Sequence, residues 1–200
     1  MKQLHRITGI IVSLFIAAHL FNHLMAWFGI AKHQQILEIL RTIYQNTIIE
    51  PILIVCFVFQ AISGIILFFK LRKQHQKSIY NKVQMYSGLV LGLFIIQHIS
   101  ASIGQRIQFG FDTNFYFAAN VVLKWPLKLY FIPYYFLGVF SLGLHIASTH
   151  KMKIANYIGE KKSKMHFYII TFVFTLIAIA ILYLLMGLHY AIEIPEKYNA

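Results

Sequence analysis

Polar and apolar residues are sorted along this chain into long blocks. Five apolar stretches, at about 7–30, 51–70, 83–103, 129–149 and 167–190, are separated by segments rich in Lys, Arg, Gln and Asn. Each reaches the ~20 residues that a helix, rising ~1.5 Å per residue, needs to cross a ~30 Å hydrocarbon core. In such a core each backbone N–H and C=O has to be satisfied within its own helix. The pattern predicts an all-α, integral membrane bundle of five transmembrane helices, with residues 1–200 forming one domain. Of the connections, 31–50 holds a segment, 35–41, with the character of a short interfacial helix. The 71–82 loop is short and basic, 104–128 is long and aromatic, and the tail from Ile192 is polar and predicted to fray.

Composition sharpens this picture. Hydrophobic residues make up 58% of the 200 and charged residues 12%, against about 47% and 25% in soluble proteins. The net charge of +12 would suit a nucleic-acid partner, but the charges lie between the spans, so topology explains them and nucleic acid is excluded. With the N-terminus in the cytoplasm, 12 Lys and Arg fall inside (2, 6, 70, 72, 73, 77, 82, 151, 153, 161, 162, 164). Six fall outside (32, 41, 106, 124, 128, 197). That bias predicts an N-in, C-out protein, expected in a bacterial inner membrane. The first span is too long for a signal peptide, and Phe28-Gly29-Ile30-Ala31 lacks a small-x-small cleavage site. Cys56, the single cysteine, excludes an intrachain disulfide.

Histidines inside the spans carry the candidate chemistry, because a bilayer rarely hosts buried imidazole without a function. His19 in the first span and His98 in the third fall at one depth, slightly beyond the midpoint. Two facing imidazoles at one level can clamp an iron porphyrin, each supplying one axial nitrogen. His23 lies one turn from His19 on the same helix face and is an alternative ligand or a partner for a propionate. His145, in the fourth span, belongs to a different level. His5, His75, His150 and His166 fall at cytoplasmic ends, where solvated or headgroup-facing roles are expected, and His189 is expected at the outer interface. Gly64, Gly88, Gly92, Gly138 and Gly143 mark close helix contacts or room for a flat ligand. A bare metal site would want three or four clustered ligands, yet the spans lack an internal carboxylate or thiolate pair. A hydrolase lacks a carboxylate to orient its histidine base.

These motifs, in order, resemble the five-helix cytochrome b subunit of succinate dehydrogenase and fumarate reductase. The resemblance covers most of residues 4–150. It rests on Leu4-His5-Arg6-Ile7-Thr8-Gly9 leading to Ala18-His19-Leu20-Phe21-Asn22-His23, and on Phe59-Gln60-Ala61-Ile62-Ser63-Gly64. Gln97-His98 and Gly143-Leu144-His145 complete it, with 79 positions between His19 and His98.

The resemblance implies heme b held by His19 and His98 and a second heme site at Gln60 and His145. Glutamine is a poor axial ligand, so one heme is expected, with the second absent or bound through His145 alone. It also implies flavoprotein and iron–sulfur partners on the cytoplasmic face, and exchange of electrons with membrane quinone. The basic segments 70–82 and 151–164 offer an acidic partner a docking surface, although topology and anionic lipid explain them as well. Arg106 is placed to pair with heme propionates, and His5, Arg6 and Thr8 to offer polar groups to quinone. Two alternatives stay open: a stand-alone heme or quinone protein, and a non-redox membrane scaffold or transporter.

Overall fold

A computed structural model describes residues 1–73 and 77–198, so His75 lies outside the described residues. Helix α1 (Lys2–Met25) runs into a 3-10 turn (Ala26–Phe28). It is followed by α2 (Ile30–Tyr44), α3 (Ile49–Arg72), α4 (Ile79–Phe109), α5 (Phe115–Leu123), α6 (Lys128–Ile158) and α7 (Glu160–Leu185), and by a 3-10 turn at Glu196–Tyr198. Among the described residues there is no strand. Helices α1, α3, α4, α6 and α7 are long and apolar enough to cross a membrane. Residues such as Leu14, Val55, Leu93 and Phe172 leave a broad outward-facing apolar belt, as expected of a multi-pass membrane protein.

The helices outrun the apolar stretches. Helix α1 begins at Lys2, and α4 and α6 each extend over 31 residues. Hydropathy stops where the hydrocarbon would stop, but a helix stops only where its backbone bonds are capped. In α4 the caps are explicit. The Ser78 side chain accepts the Asn81 N–H at the start, and Gly110, at φ 65°, closes the end, its N–H donating to Arg106 O.

Neighbouring pairs α1–α3, α3–α4 and α4–α6 pack together, and α7 lies along α6. Two glycines permit the closest approaches. A Cβ on Gly143 would fall 2.3 Å from Phe174 Cβ, and one on Gly138 would fall 2.3 Å from the Phe94 ring. Between α1, α3, α4 and α6 runs a cavity of about 1360 Å³. That exceeds the 300–1,000 Å³ typical of a site for one small ligand.

Because the middle of the bundle is open, the tightest core forms at the end away from the N-terminus. There Phe115, Ala119 and Val122 of α5 pack on Ile181, Leu182, Leu184 and Leu185 of α7. This far end corrects two expectations. The helix expected at 35–41 spans Ile30–Tyr44, and the long aromatic segment adds a helix not foreseen, α5, which Asn114 caps. The tail is tied down instead of frayed. Tyr198 is buried, donates its hydroxyl to Asp112 O (2.9 Å), and accepts Asn120 Nδ2 at its carbonyl (2.7 Å).

Candidate functional site

Four histidines line the far half of the cavity: His19 and His23 of α1, His33 of α2 and His98 of α4. The His19 and His98 ring centres lie 6.0 Å apart with their planes inclined by 72°, and His23 lies edge-on to His19 at 4.7 Å. Aromatic stacking sets the planes of the pair. Phe15 stacks on His19 at 5.8 Å and Phe94 on His98 at 5.2 Å. Tyr134 backs Phe94 at 4.6 Å, and its hydroxyl donates to Phe94 O at 3.2 Å. No ring nitrogen of His19, His23 or His98 takes a hydrogen bond from the described residues, so stacking orients the imidazoles while their nitrogens stay free for a ligand.

The hydrophobic pattern missed His33. It is 2% exposed and adjoins His23, with ring centres 5.5 Å apart. Asn22 Nδ2 donates to its Nε2 at 3.2 Å, which places the imidazole proton on Nδ1. That nitrogen and Asn22 Oδ1 are buried without a partner among the described residues. The spacing of His33 and Leu37, both buried on one face of α2, was the available signal.

Burial, followed by the neighbouring His19 and Arg41, lowers the His33 pKa to about 4. Between pH 6.5 and 4 an unfolded chain would take up a proton that folded His33 refuses, so stability falls as pH drops through that window. At about 1.4 kcal/mol per unit, the loss reaches at most roughly 3–4 kcal/mol. Thermal unfolding in detergent at pH 7 and pH 4.5 is expected to show a smaller acid penalty for His33→Gln than for the parent protein.

A second level lies nearer the N-terminus. His145 Nδ1 donates to Gln84 O at 3.1 Å, while Gln84 Nε2 donates to Thr149 Oγ1 at 2.9 Å. Gln60 does not face His145 as a ligand would. Its Nε2 donates to His5 O at 2.5 Å and to Thr8 Oγ1 at 2.6 Å, tying α3 to α1. His5 is not solvated at the helix end. It is half-buried, lines the cavity, and its Nδ1 bonds Ser63 Oγ at 2.6 Å.

Of the remaining sequence candidates, Arg6, Arg106 and His150 also line the cavity. Arg106 is ion-paired with Glu50, so its guanidinium already has an anionic partner. Arg6 is exposed at the N-terminal end. His150 and His166 stack on each other at 5.4 Å and share a 3.1 Å hydrogen bond, and His189 stacks on Trp27 at 4.8 Å.

No protein-family model, curated protein or solved structure matches this chain. Its chemistry is therefore read from its own residues. Among those described, no three His, Cys, Asp or Glu side chains converge on a point where they would hold a bare metal ion. The cavity instead brings the imidazoles of His19 and His98 together across α1 and α4, between apolar walls that include Val12, Ile16, Ile95 and Leu142. Such a pair suits a cofactor that brings its own equatorial ligands.

Proposed function

We propose that this chain is a membrane cytochrome b, similar to the five-helix subunit of succinate dehydrogenase and fumarate reductase. Heme b is held between His19 and His98, and electrons pass between cytoplasmic flavoprotein and iron–sulfur partners and quinone in the bilayer. The observation that carries this reading is the pair of neighbouring imidazoles, 6.0 Å between centres, bordering a cavity of about 1360 Å³. His19 and His98 would hold the heme, and its iron would supply a one-electron couple.

The chain's own residues do the rest. Phe15 and Phe94 fix the imidazole planes, and the apolar walls exclude water, which raises the influence of each nearby charge on the iron potential. His19 sits closer to His98 in the ring contacts than His23 does, which favours His19 as the ligand and leaves His23 beside it as a polar neighbour. Arg106 would reach a propionate only in competition with Glu50. Quinone is expected near the N-terminal end, where Arg6 is exposed and His5 lines the cavity, although Thr8 already serves Gln60. Twelve basic residues assigned to that face favour an acidic partner in a bacterial inner membrane.

Electron exchange with quinone is tested by adding an anaerobic quinol to the oxidised, detergent-purified protein. Growth of the reduced b-type absorption band is expected. Heme that dithionite reduces and quinol does not would contradict the quinone assignment and favour a stand-alone heme protein.

A further inference from the structure

The N-terminal end of the cavity is basic, and one side of it is open. Helix α1 packs on α3, and its Leu20 and Leu24 pack on the far-end core built from α5 and α7, but α1 does not pack along α6. Ile10 of α1 accordingly lines the cavity while remaining 60% exposed. Ile146 of α6 lines the same cavity. In a bilayer, the seam between α1 and α6 meets acyl chains.

Lys2 and Arg6 of α1 and His150 and Lys153 of α6 line the cavity where this seam leaves the hydrocarbon. Arg6 directly precedes the first apolar stretch, and His150 directly follows the fourth. Lys2 and Lys153 stand about one turn further out, roughly 5 Å, which is the depth of the polar headgroup layer. The side chains of Lys2, Arg6 and Lys153 have no ion-pair or hydrogen-bond partner among the described residues. Nearby carboxylates are already committed. Glu50, the one carboxylate among the described residues lining the cavity, pairs with Arg106 at the opposite end. Glu160, the one carboxylate of α6 and α7, is held by Lys151 at 2.7 Å. His150 is steadied by its 3.1 Å bond to His166. With Lys153 it also lines a groove of about 380 Å³ along Ile154, Tyr157 and Ile158, which gives a headgroup room beside the charges.

A basic rim over an apolar seam matches an amphiphile with an anionic head. Free phosphate would satisfy the rim alone, and an acidic protein would cover the rim and leave the seam empty. We propose that this mouth binds one anionic phospholipid, its phosphate among Lys2, Arg6, His150 and Lys153 and one acyl chain along the seam over Ile10 and Ile146. The site needs no heme, so the inference is independent of the cytochrome reading, and Arg6 serves the lipid whether or not quinone also binds at this end.

Native mass spectrometry of the full-length protein in neutral detergent tests it, with phosphatidylglycerol and phosphatidylcholine added at equal concentration. One phosphatidylglycerol per chain is expected to be retained in preference to phosphatidylcholine. Changing Lys2 and Lys153 together to Gln should cut that retention about tenfold, each basic residue contributing severalfold. Changing Lys161 and Lys162 together to Gln removes the same charge outside the cavity and should leave retention as in the parent. Equal retention of the two lipids, or equal losses in the two double variants, would mean diffuse surface charge and overturn the proposal. Displacement of phosphatidylglycerol by millimolar inorganic phosphate would overturn it in favour of a free-anion site.

Discussion

Replacing His98 by alanine is expected to empty the heme level at His19. His98 is the one histidine of α4, so no neighbour on its helix can substitute across the cavity. Second-sphere changes alone commonly cost 10–100-fold in metal affinity, so loss of a ligand should reduce occupancy there below about one tenth. The measurement is heme content of the purified variant, with the fold checked by size-exclusion elution. His19→Ala should behave as His98→Ala does. His23→Ala should keep its heme with a shifted potential, because its ring flanks His19 edge-on at 4.7 Å. Loss of heme in His23→Ala but not in His19→Ala would move the ligand one turn along α1.

The second large effect concerns packing. Gly143→Ala would drive a methyl group to 2.3 Å from Phe174 Cβ and 2.8 Å from Phe174 Cγ. A rotamer change cannot move Cβ, so α6 and α7 have to separate, at a cost of about 1–3 kcal/mol. Gly104→Ala, with nothing within 4 Å of its Cβ position, is the control and should be close to neutral. Thermal unfolding of the two variants in one detergent checks the contrast. Gly138→Ala carries a further consequence. The group it meets is the Phe94 ring, at 2.3 Å, and that ring stacks on His98. Its effect should appear in the heme spectrum as well as in stability, whereas Gly143→Ala should alter stability alone.

Much of this was legible in the chain because lipid simplifies the code. Five continuous apolar blocks of about 20 residues gave five helices, since a helix satisfies its backbone within one segment, whereas barrel strands would be shorter and alternating. Depth along those helices was equally legible. His19 and His98 meet, and His145 stands at another level, as their positions in the spans required. Outside the hydrocarbon the signal weakened. Helix α5 and the ordered tail were missed because α5 has only nine residues and its period at Phe115, Ala119 and Val122 is hidden among apolar neighbours, while the tail has no apolar run. Asn114 caps α5 locally, while Asn120 and Asp112 bond Tyr198, about 80 residues away in sequence.

His5 was misjudged and His33 missed for a related reason. Each lies near a predicted helix end, where sequence suggests water, yet α3 covers one and the far-end cap encloses the other. Arg106 looked free because its partner, Glu50, is 56 residues away. Gln60 was singled out as an outlier at a ligand position. Its reason became physical once its amide was seen bonded to the backbone and side chain of α1.

The central claim is that iron porphyrin binds between the histidine-bearing helices. A reduced-minus-oxidised absorption spectrum of the detergent-purified protein, with heme quantified per chain, tests it most directly. A low-spin b-type spectrum with at least one heme per chain is the predicted result. A colourless protein, still folded and helical after expression with ample heme supply, would contradict it.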